Sequence, residues 1–176
     1  MLNDRKLYLY RLIAGIMPDG WRFQWLRTKL LRWCGAEIGK GVYFSARVRF
    51  EGGGRLILED GVWIGPYTLL SPSGCVDGNR PTIRICKNTW VAHMCSLKTK
   101  THEIDVNGPS VGGKTKIGDI VVGEGSWVCA MVTIIPGVTI GRRSVIAAGA
   151  VVIRSCLDGA LLAGVPAERK RDVIAR

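Results

Sequence analysis

His102 is the residue of this chain whose type and position best suit chemistry. It is one of two histidines in 176 residues, and it lies in the run Lys-Thr-Lys-Thr-His-Glu-Ile of residues 98–104. A hydroxyl group that acts as a nucleophile needs a general base with a pKa near neutrality, and imidazole is the natural one. On spacing alone, His102 is either such a base or an incidental histidine of a loop.

A period of six governs residues 122–157. The first position of every hexad is Val or Ile, in the order Val122, Val128, Ile134, Ile140, Ile146 and Val152. The fifth position is small or β-branched, in the order Ser126, Val132, Val138, Ser144, Ala150 and Cys156. Neither a helical period nor alternation by twos fits this pattern. Short strands with tight corners do fit, so the pattern predicts an all-β, left-handed parallel β-helix with triangular coils.

The phase of the repeat divides the chain. Residues 1–35 are predicted to be an N-terminal helical hairpin, 36–157 the β-helix, and 158–176 a tail in which 168–175 form a short basic helix or strand. The longest break in phase, at about 98–117, contains His102 and is expected to be a loop that projects outward. Excursions of this kind are where function concentrates in solenoids.

Two interpretations of residues 1–35 remain open. Apolar side chains recur at helical spacing, and tryptophans and basic residues are interspersed in the second helix. The hairpin either caps the β-helix or packs on a neighbouring subunit, or it lies on an anionic membrane surface.

The charge and composition of the chain limit the classes of molecule that it is expected to bind. The net charge is +11, which suits nucleic acid, anionic lipid or a phosphorylated ligand. No nucleic-acid-binding motif is visible, so a phosphate-rich small molecule is favoured. The sequence shows no signal peptide and no membrane span, and its unpaired cysteines favour the cytoplasm, at the inner membrane face if the helices bind lipid.

The other reactive side chains predict neither a metal site nor a nucleophile. Cys95 falls on an inward fifth position, which disfavours nucleophilic catalysis. His93 is expected to be a solvent-facing corner residue. Two histidines nine residues apart and scattered carboxylates do not make a ligand set, so no metal is expected.

Three motifs make residues 39–167 resemble the hexapeptide-repeat O-acetyltransferases. They are Thr-Lys-Thr-His at 99–102, Trp-Val-Cys-Ala at 127–130 with Pro-Gly-Val-Thr-Ile-Gly at 136–141, and Gly-Val-Pro-Ala at 164–167. The chain is similar to maltose, galactoside and nodulation acetyltransferases, and its N-terminal layout especially resembles colanic-acid and capsule biosynthesis acetyltransferases. The resemblance implies a homotrimer that transfers an acetyl group from acetyl-CoA to a hydroxyl of a sugar or surface-polysaccharide precursor.

The same resemblance assigns site residues. His102 is implied as the general base of direct transfer, and acetyl-CoA is implied to lie between adjacent β-helices. The implied cofactor contacts are Trp127, Ala130, Ala148, Arg154, Arg169 and Arg171. On the acceptor side, Ser71 or Ser73 stands where the family often has Asn, and Glu103 replaces the customary Asp after the histidine.

Two alternatives differ in function. One is N-acetylation of a nucleotide-linked amino sugar, and the other is a non-catalytic β-helix scaffold that neither needs His102 nor binds the cofactor. The sequence leaves open the sugar, its carrier and the length of the acyl chain.

Overall fold

The computed structural model describes residues 1–173, most of which form short strands and the corners that join them. Two helices, α1 (Asp4–Ile16) and α2 (Gln24–Trp33), precede them. The strands are β1 (Glu37–Ile38), β2 (Tyr43–Phe44), β3 (Arg49–Phe50), β4 (Arg55–Leu58), β5 (Trp63–Ile64), β6 (Leu69–Ser71), β7 (Thr82–Ile85), β8 (Trp90–Val91), β9 (Ser96–Lys98), β10 (Lys100–Ile104), β11 (Gly112–Ile117), β12 (Ile120–Val122), β13 (Trp127–Val128), β14 (Thr133–Ile134), β15 (Thr139–Ile140), β16 (Val145–Ile146), β17 (Val151–Val152), β18 (Ala160–Ala163) and β19 (Glu168–Asp172).

Three parallel sheets are built from every third strand of the coil. Sheet A contains β1, β4, β7, β12 and β15, sheet B contains β2, β5, β8, β13 and β16, and sheet C contains β3, β6, β9, β14 and β17. Tyr43 pairs with Trp63 in sheet B, for example, and Trp127 pairs with Val145. Because consecutive strands belong to different sheets, the chain winds round three faces and each coil stacks on the one before. The predicted parallel β architecture is therefore present.

The inward side chains of each coil form the core. All six first positions of the hexads between residues 122 and 157 are fully buried, from Val122 to Val152. The first five of the fifth positions are buried as well, and Cys156 is half-buried. Burying one Val or Ile side chain contributes about 1.5–3 kcal/mol, so the column of these residues is the main favourable term that holds two-residue strands together.

Close stacking restricts the residue type at certain corners. A Cβ placed on Gly123 would lie 2.6 Å from the backbone nitrogen of Arg142 in the next coil. Gly149 has a φ of 72°, a left-handed conformation that favours glycine. The glycines of the hexads thus allow successive coils to approach within hydrogen-bonding distance.

Asp19 anchors the helical hairpin to the first coil, and Arg27 holds the turn that carries Asp19. Arg27 is fully buried and donates hydrogen bonds to the carbonyl of Gly20 at 2.7 Å and to Pro18 at 3.1 Å. The Asp19 carboxylate accepts from the Ser45 hydroxyl at 2.5 Å and from the backbone of Ala46 at 3.1 Å. Burial works to raise the pKa of Asp19, but these hydrogen bonds outweigh it and hold that pKa below its ordinary value.

The second helix also covers the open edge of sheet A. The Arg32 guanidinium donates to the backbone carbonyl of Ile38 at 2.6 Å and to that of Gly39 at 3.2 Å. These carbonyls belong to the first strand and the residue after it, where no earlier coil is present to pair with them. The hairpin therefore satisfies backbone groups that a bare first coil would leave to water.

The excursion at 98–117 is a two-stranded antiparallel hairpin, where the sequence predicted a loop. β10 pairs with β11, with Thr101 opposite Lys116 and His102 opposite Thr115. All of β10 is exposed. Once the chain leaves the coil, pairing the two arms with each other satisfies backbone groups that neither sheet A nor sheet C can reach.

The coil continues beyond Leu157, where the hexad pattern stops. β18 pairs in parallel with β16, and β19 then pairs antiparallel with β18, so sheet B is two strands longer than the repeat predicts. Backbone pairing does not require the hexad sequence, and for that reason the hexad pattern underestimated the number of strands in sheet B. Of the predicted basic helix or strand at 168–175, Glu168–Asp172 is a strand, and residues 174–176 lie outside the described part.

Residues 1–173 contain neither a membrane-spanning helix nor a cluster of metal-binding side chains. Neither helix is long and apolar enough to cross a membrane. No group of three or more His, Cys, Asp or Glu side chains in this part of the chain is arranged to hold a metal ion.

Truncation of an inward side chain should cost much more stability than truncation of an outward one. Ile134 is fully buried in β14, and Ile104 in the hairpin is 81% exposed. We expect Ile134→Ala to lower the free energy of unfolding by about 2–5 kcal/mol, because it leaves a cavity between coils. Urea denaturation at fixed protein concentration measures it, with Ile104→Ala as the matched control. Equal losses in the two variants would contradict the assignment of the core.

Candidate functional site

His102 lies on the outward arm of the hairpin, with one ring nitrogen already engaged. Its Nδ1 is 3.0 Å from the carbonyl oxygen of Gly113 on the facing strand. A carbonyl only accepts hydrogen bonds, so Nδ1 carries the proton and Nε2 of the neutral ring keeps its lone pair. Since His102 is exposed, that lone pair is available to a substrate. This is the arrangement that a general base requires.

The two candidate serines lie beneath the root of the same hairpin. Thr99 Oγ1 is 3.2 Å from the carbonyl of Ser71 and accepts a hydrogen bond from the backbone of Ser73 at 2.9 Å. Ser71 is only 4% exposed, and its Oγ bonds to Ser73 Oγ at 3.1 Å. Ser73 is therefore the serine that a bound molecule could reach, and Ser71 orients it.

Glu103 follows His102 at a change in strand register. The antiparallel pairing shifts between His102 and Ile104, so Glu103 stands at the bulge and is exposed. A bulge re-aims the side chains on either side of it. The hairpin thus presents an imidazole and a carboxylate in succession on its exposed arm.

A groove runs along the hairpin root, on the outer face of sheet C. Its volume is about 340 Å³. Its walls include three lysines, Lys98, Lys100 and Lys116, and its floor includes Ile135 and Pro136. Our sequence analysis did not single out these lysines. Lys98 and Lys100 are two residues apart in a segment that leads out of a strand. This spacing indicates that both side chains lie on one face.

Three of the six cofactor residues implied by resemblance cluster on another part of the surface. Ala130 and Ala148 occupy the same corner, between sheets B and C, in successive coils, and the backbone of Gly149 donates to the Ala130 carbonyl at 2.9 Å. Trp127 lies on the outer face of sheet B just before this corner and is 51% exposed. Two small side chains and one indole therefore line a shallow, accessible strip.

The outer face of sheet B continues below Trp127 as a column of aromatic residues. Trp127 pairs with Trp90, Trp90 with Trp63, and Trp63 with Tyr43. Tyr43 and Trp63 stack with their ring centroids 5.9 Å apart. Each of these residues directly precedes an inward hexad position in the sequence, and the strand pairing is what brings the four together.

The three candidate arginines do not converge. Arg154 is exposed after β17, at the corner that follows sheet C. Arg169 and Arg171 lie on β19 at the end of sheet B. Arg169 already forms an ion pair with Asp172. Within the described residues Arg154 and Arg171 form no ion pair, and Arg171 shares with Arg169 a different face from that of Arg154.

One chain does not bring His102 and the small-residue strip together. The hairpin leaves the coil at the corner after sheet C, and Ala130 lies at the corner before it. Six residues separate Ala130 from Pro136, one side of a coil, which at about 3.3 Å per residue spans up to about 20 Å. His102 and the strip of Trp127, Ala130 and Ala148 therefore lie at two different corners of the chain.

Cys95 is part of the buried core. Cys95 is buried, and its thiol lies 3.1 Å from the carbonyl of Cys129. Burial raises the pKa of the Cys95 thiol above its ordinary value, which disfavours the thiolate. The expectation that Cys95 points inward is confirmed.

Comparison with protein families and curated proteins gives consistent results. Residues 119–154 match the family described as "Bacterial transferase hexapeptide (six repeats)". WcaF of Escherichia coli, provisionally named a colanic acid biosynthesis acetyltransferase, is 30% identical over 145 residues, which cover 82% of this chain and 73% of WcaF.

Other relatives match over a shorter length. A provisionally named acetyltransferase of Saccharomyces cerevisiae is 37% identical over 89 residues, covering 51% of this chain and 45% of that protein. The galactoside O-acetyltransferase of Escherichia coli is 32% identical over 92 residues, covering 52% of this chain and 45% of that enzyme. The chain thus spans about half the length of these two relatives.

Solved structures share the fold. A hexapeptide-repeat acetyltransferase of Vibrio cholerae, solved with acetyl-CoA, superposes with a TM-score of 0.67 at 23% identity, covering 97% of this chain and 87% of that one. A mutant N-acyltransferase of Bacillus cereus, solved with dTDP and coenzyme A, gives 0.66 at 18% identity, covering 82% and 88%. At these identities the likeness concerns the fold. The identity to WcaF over most of both chains, together with the match of the hexads, shows that this chain belongs to the hexapeptide-repeat acetyltransferases.

Proposed function

We propose that the protein transfers an acetyl group from acetyl-CoA to a hydroxyl group of a sugar or surface-polysaccharide precursor. The observation that carries this proposal is the hydrogen bond of His102 Nδ1 to the Gly113 carbonyl, because it leaves Nε2 of an exposed imidazole free to accept a proton. The named relatives support acetyl-CoA as the donor and sugars as acceptors.

The chemistry is direct transfer. The donor supplies its acetyl group as a thioester. His102 Nε2 accepts the proton of the acceptor hydroxyl as that oxygen attacks the thioester carbonyl, and the imidazolium returns the proton to the departing thiolate. Backbone N–H groups beside the donor stabilise the negative charge that develops on the carbonyl oxygen. Ser73 and Glu103 are the candidates for orienting the acceptor, since both are accessible near His102.

The active protein in this proposal is a homotrimer of left-handed β-helices, the assembly that the resemblance of the sequence motifs implies. His102 and the strip of Trp127, Ala130 and Ala148 lie at different corners of one chain, so a neighbouring copy has to complete the site. The donor then lies in the groove between two coils, with the hairpin of one copy facing the strip of the next. Arg154 or the pair Arg169 and Arg171 meets its phosphates.

A nitrogen acceptor is the second candidate. The structural neighbour from Bacillus cereus is an N-acyltransferase solved with dTDP, so the fold accommodates such chemistry. An amino sugar with a neutral amine needs less help from a base than a hydroxyl does. The effect of removing His102 on the transfer rate therefore distinguishes a hydroxyl acceptor from an amine acceptor. It also distinguishes both from a non-catalytic scaffold, which does not need His102.

Donor binding is the first experiment. We expect calorimetry to show micromolar binding of acetyl-CoA and of CoA with one site per chain, and ultracentrifugation to give a trimer. Removing the positive charge in Arg154→Ala should weaken CoA binding, and Arg55→Ala, an exposed arginine on sheet A, is the matched control. A folded trimer that binds neither ligand would leave the scaffold interpretation.

Loss of the base should lower the rate and leave donor binding intact. In a screen of sugar acceptors followed by transfer of radiolabelled acetyl, we expect His102→Ala to reduce kcat by about 10²–10⁴-fold. His93→Ala removes the only other histidine, which is exposed at a corner, and should retain the rate. Near-normal turnover of His102→Ala would refute the base mechanism.

We also propose that residues 1–34 attach the protein peripherally to the cytoplasmic face of a membrane. α1 buries Leu7, Tyr10 and Ala14 against the coil but exposes a second apolar face. That face contains Tyr8, Leu9, Leu12, Ile13 and Ile16. Lys and Arg outnumber Asp and Glu by seven to two in this segment, which suits an anionic surface at about 1 kcal/mol for each basic residue near the lipid.

Vesicle sedimentation tests this attachment. We expect binding to phosphatidylcholine vesicles that contain phosphatidylglycerol and weak binding to those that lack it. Leu12→Asp together with Ile16→Asp should abolish the binding, whereas Leu157→Asp, at a site 75% exposed on the coil, should not. If the wild-type protein does not bind the vesicles and the helix variant dissociates the oligomer, the hairpin is a subunit contact.

A further inference from the structure

Thr99 joins the hairpin to the coil at the point where the chain leaves sheet C. It lies between β9 and β10, and it is fully buried although its neighbours Lys98 and Lys100 are exposed. Its carbonyl accepts a hydrogen bond from the backbone of Gly118 at 3.0 Å. Because Gly118 directly follows β11, this bond closes the base of the hairpin, and both arms are held at Thr99.

The side chain of Thr99 binds a loop of the coil beneath it. Its hydroxyl donates to the carbonyl of Ser73 at 2.9 Å and accepts from the backbone N–H of Ser73 at 2.9 Å. The backbone N–H of Thr99 donates to the carbonyl of Ser71 at 3.2 Å. A hydroxyl is both a donor and an acceptor, so this one group fixes both backbone polar groups of the serine that a bound molecule could reach.

The same loop lies against the face of the hairpin from which His102 projects. Lys100 and His102 are two residues apart on β10, so their side chains leave the same face, and Ile117 shares that face because it pairs with Lys100. A Cβ placed on Gly74 would lie 2.5 Å from Cγ2 of Ile117 and 3.5 Å from Cβ of Lys100. The loop that carries Ser73 and the imidazole of His102 are therefore on the same side of the hairpin.

The orientation of the hairpin depends on the contacts at its base, because all of β10 is exposed. His102 lies three residues beyond Thr99, which is about 10 Å along a strand. Over this length a tilt of about 6° at the base moves the imidazole by about 1 Å, and a misplacement of that size can lower a rate by about 10²-fold.

We propose that Thr99 is a positioning residue of the acetyl transfer. Its hydroxyl sets the separation between Ser73, which orients the acceptor, and His102, which takes the acceptor's proton. Since Thr99 is fully buried, it acts through these two residues and does not touch the acceptor. The inference rests on the proposed function and names the residue that holds the two sides of that site in register.

Hydrogen exchange tests the contact between loop and hairpin without any substrate. Thr99→Val keeps the shape of the side chain and removes its hydroxyl, so amides of the loop and the hairpin should exchange about tenfold faster, the effect of one hydrogen bond. Thr68→Val is the matched control, because Thr68 is also fully buried and its hydroxyl donates to Ala92 at 2.7 Å and accepts from Cys95 at 3.2 Å. Unchanged exchange in Thr99→Val would overturn the inference.

The transfer rate then tests the positioning role, with radiolabelled acetyl-CoA and the best acceptor from the sugar screen. We expect Thr99→Val to lower kcat by about 10²-fold while binding of CoA stays unchanged. Thr99→Ser restores the hydroxyl and should recover most of the rate. A merely structural role predicts instead that Thr99→Val and Thr68→Val lower the rate equally, in step with their loss of thermal stability, and that result overturns the inference.

A pair of glycine variants displaces the loop without removing a polar group. Gly74 and Gly78 both have a left-handed φ, of 102° and 79°. An added Cβ meets the hairpin at Gly74 and meets nothing within 4 Å at Gly78. We expect Gly74→Ala to lower kcat and Gly78→Ala to retain it, and equal rates in the two variants would contradict the inference.

The wild-type protein separates this inference from the proposed function. If the wild type neither binds CoA nor transfers acetyl groups, the proposed function fails and the inference fails with it. If the wild type is active and Thr99→Val is equally active, only the inference is overturned.

Discussion

The structure depends on the burial of one apolar side chain on each side of every coil. A strand of two residues has no stability alone, and each strand here persists because apolar side chains of successive coils stack in a buried column beneath its sheet. The same column fixes which residues face outward. Trp127 and Thr133 are accessible because Val128 and Ile134 beside them are not. Fixed in this way, the outer faces of the sheets can carry chemistry without being needed for folding.

The hairpin of β10 and β11 adds a wall to a coil whose faces are flat. A face of parallel strands presents short rows of side chains but no wall, and β10 and β11 supply one beside sheet C. The wall positions His102 through the Gly113 carbonyl and brings lysines to its root. Its counterpart is the strip at Ala130 and Ala148, where small side chains keep the backbone accessible. One chain holds the two halves apart, and in the proposed trimer a neighbouring copy brings them together.

The sequence predicted the parts that periodicity controls and missed those that depend on pairing. The hexads identified the inward positions, and helical spacing identified α1 and α2. The hairpin was expected as a loop because its residues alternate too weakly to reveal strands that pair only with each other. β18 was not predicted because its backbone pairs with β16 although its sequence does not follow the hexad pattern. Burial of Ser71 and the lysine groove depend on which coils lie next to each other, and spacing alone does not reveal that.

The final strand has a consequence for how such molecules can associate. All five residues of β19 are charged, and the strand runs against the direction of β18. At the opposite end, α2 covers the edge of the first coil. A second molecule that tried to continue sheet B end to end would meet a reversed strand and a row of charges, which opposes growth into fibres. These two ends therefore disfavour end-to-end association through sheet B and favour side-by-side association.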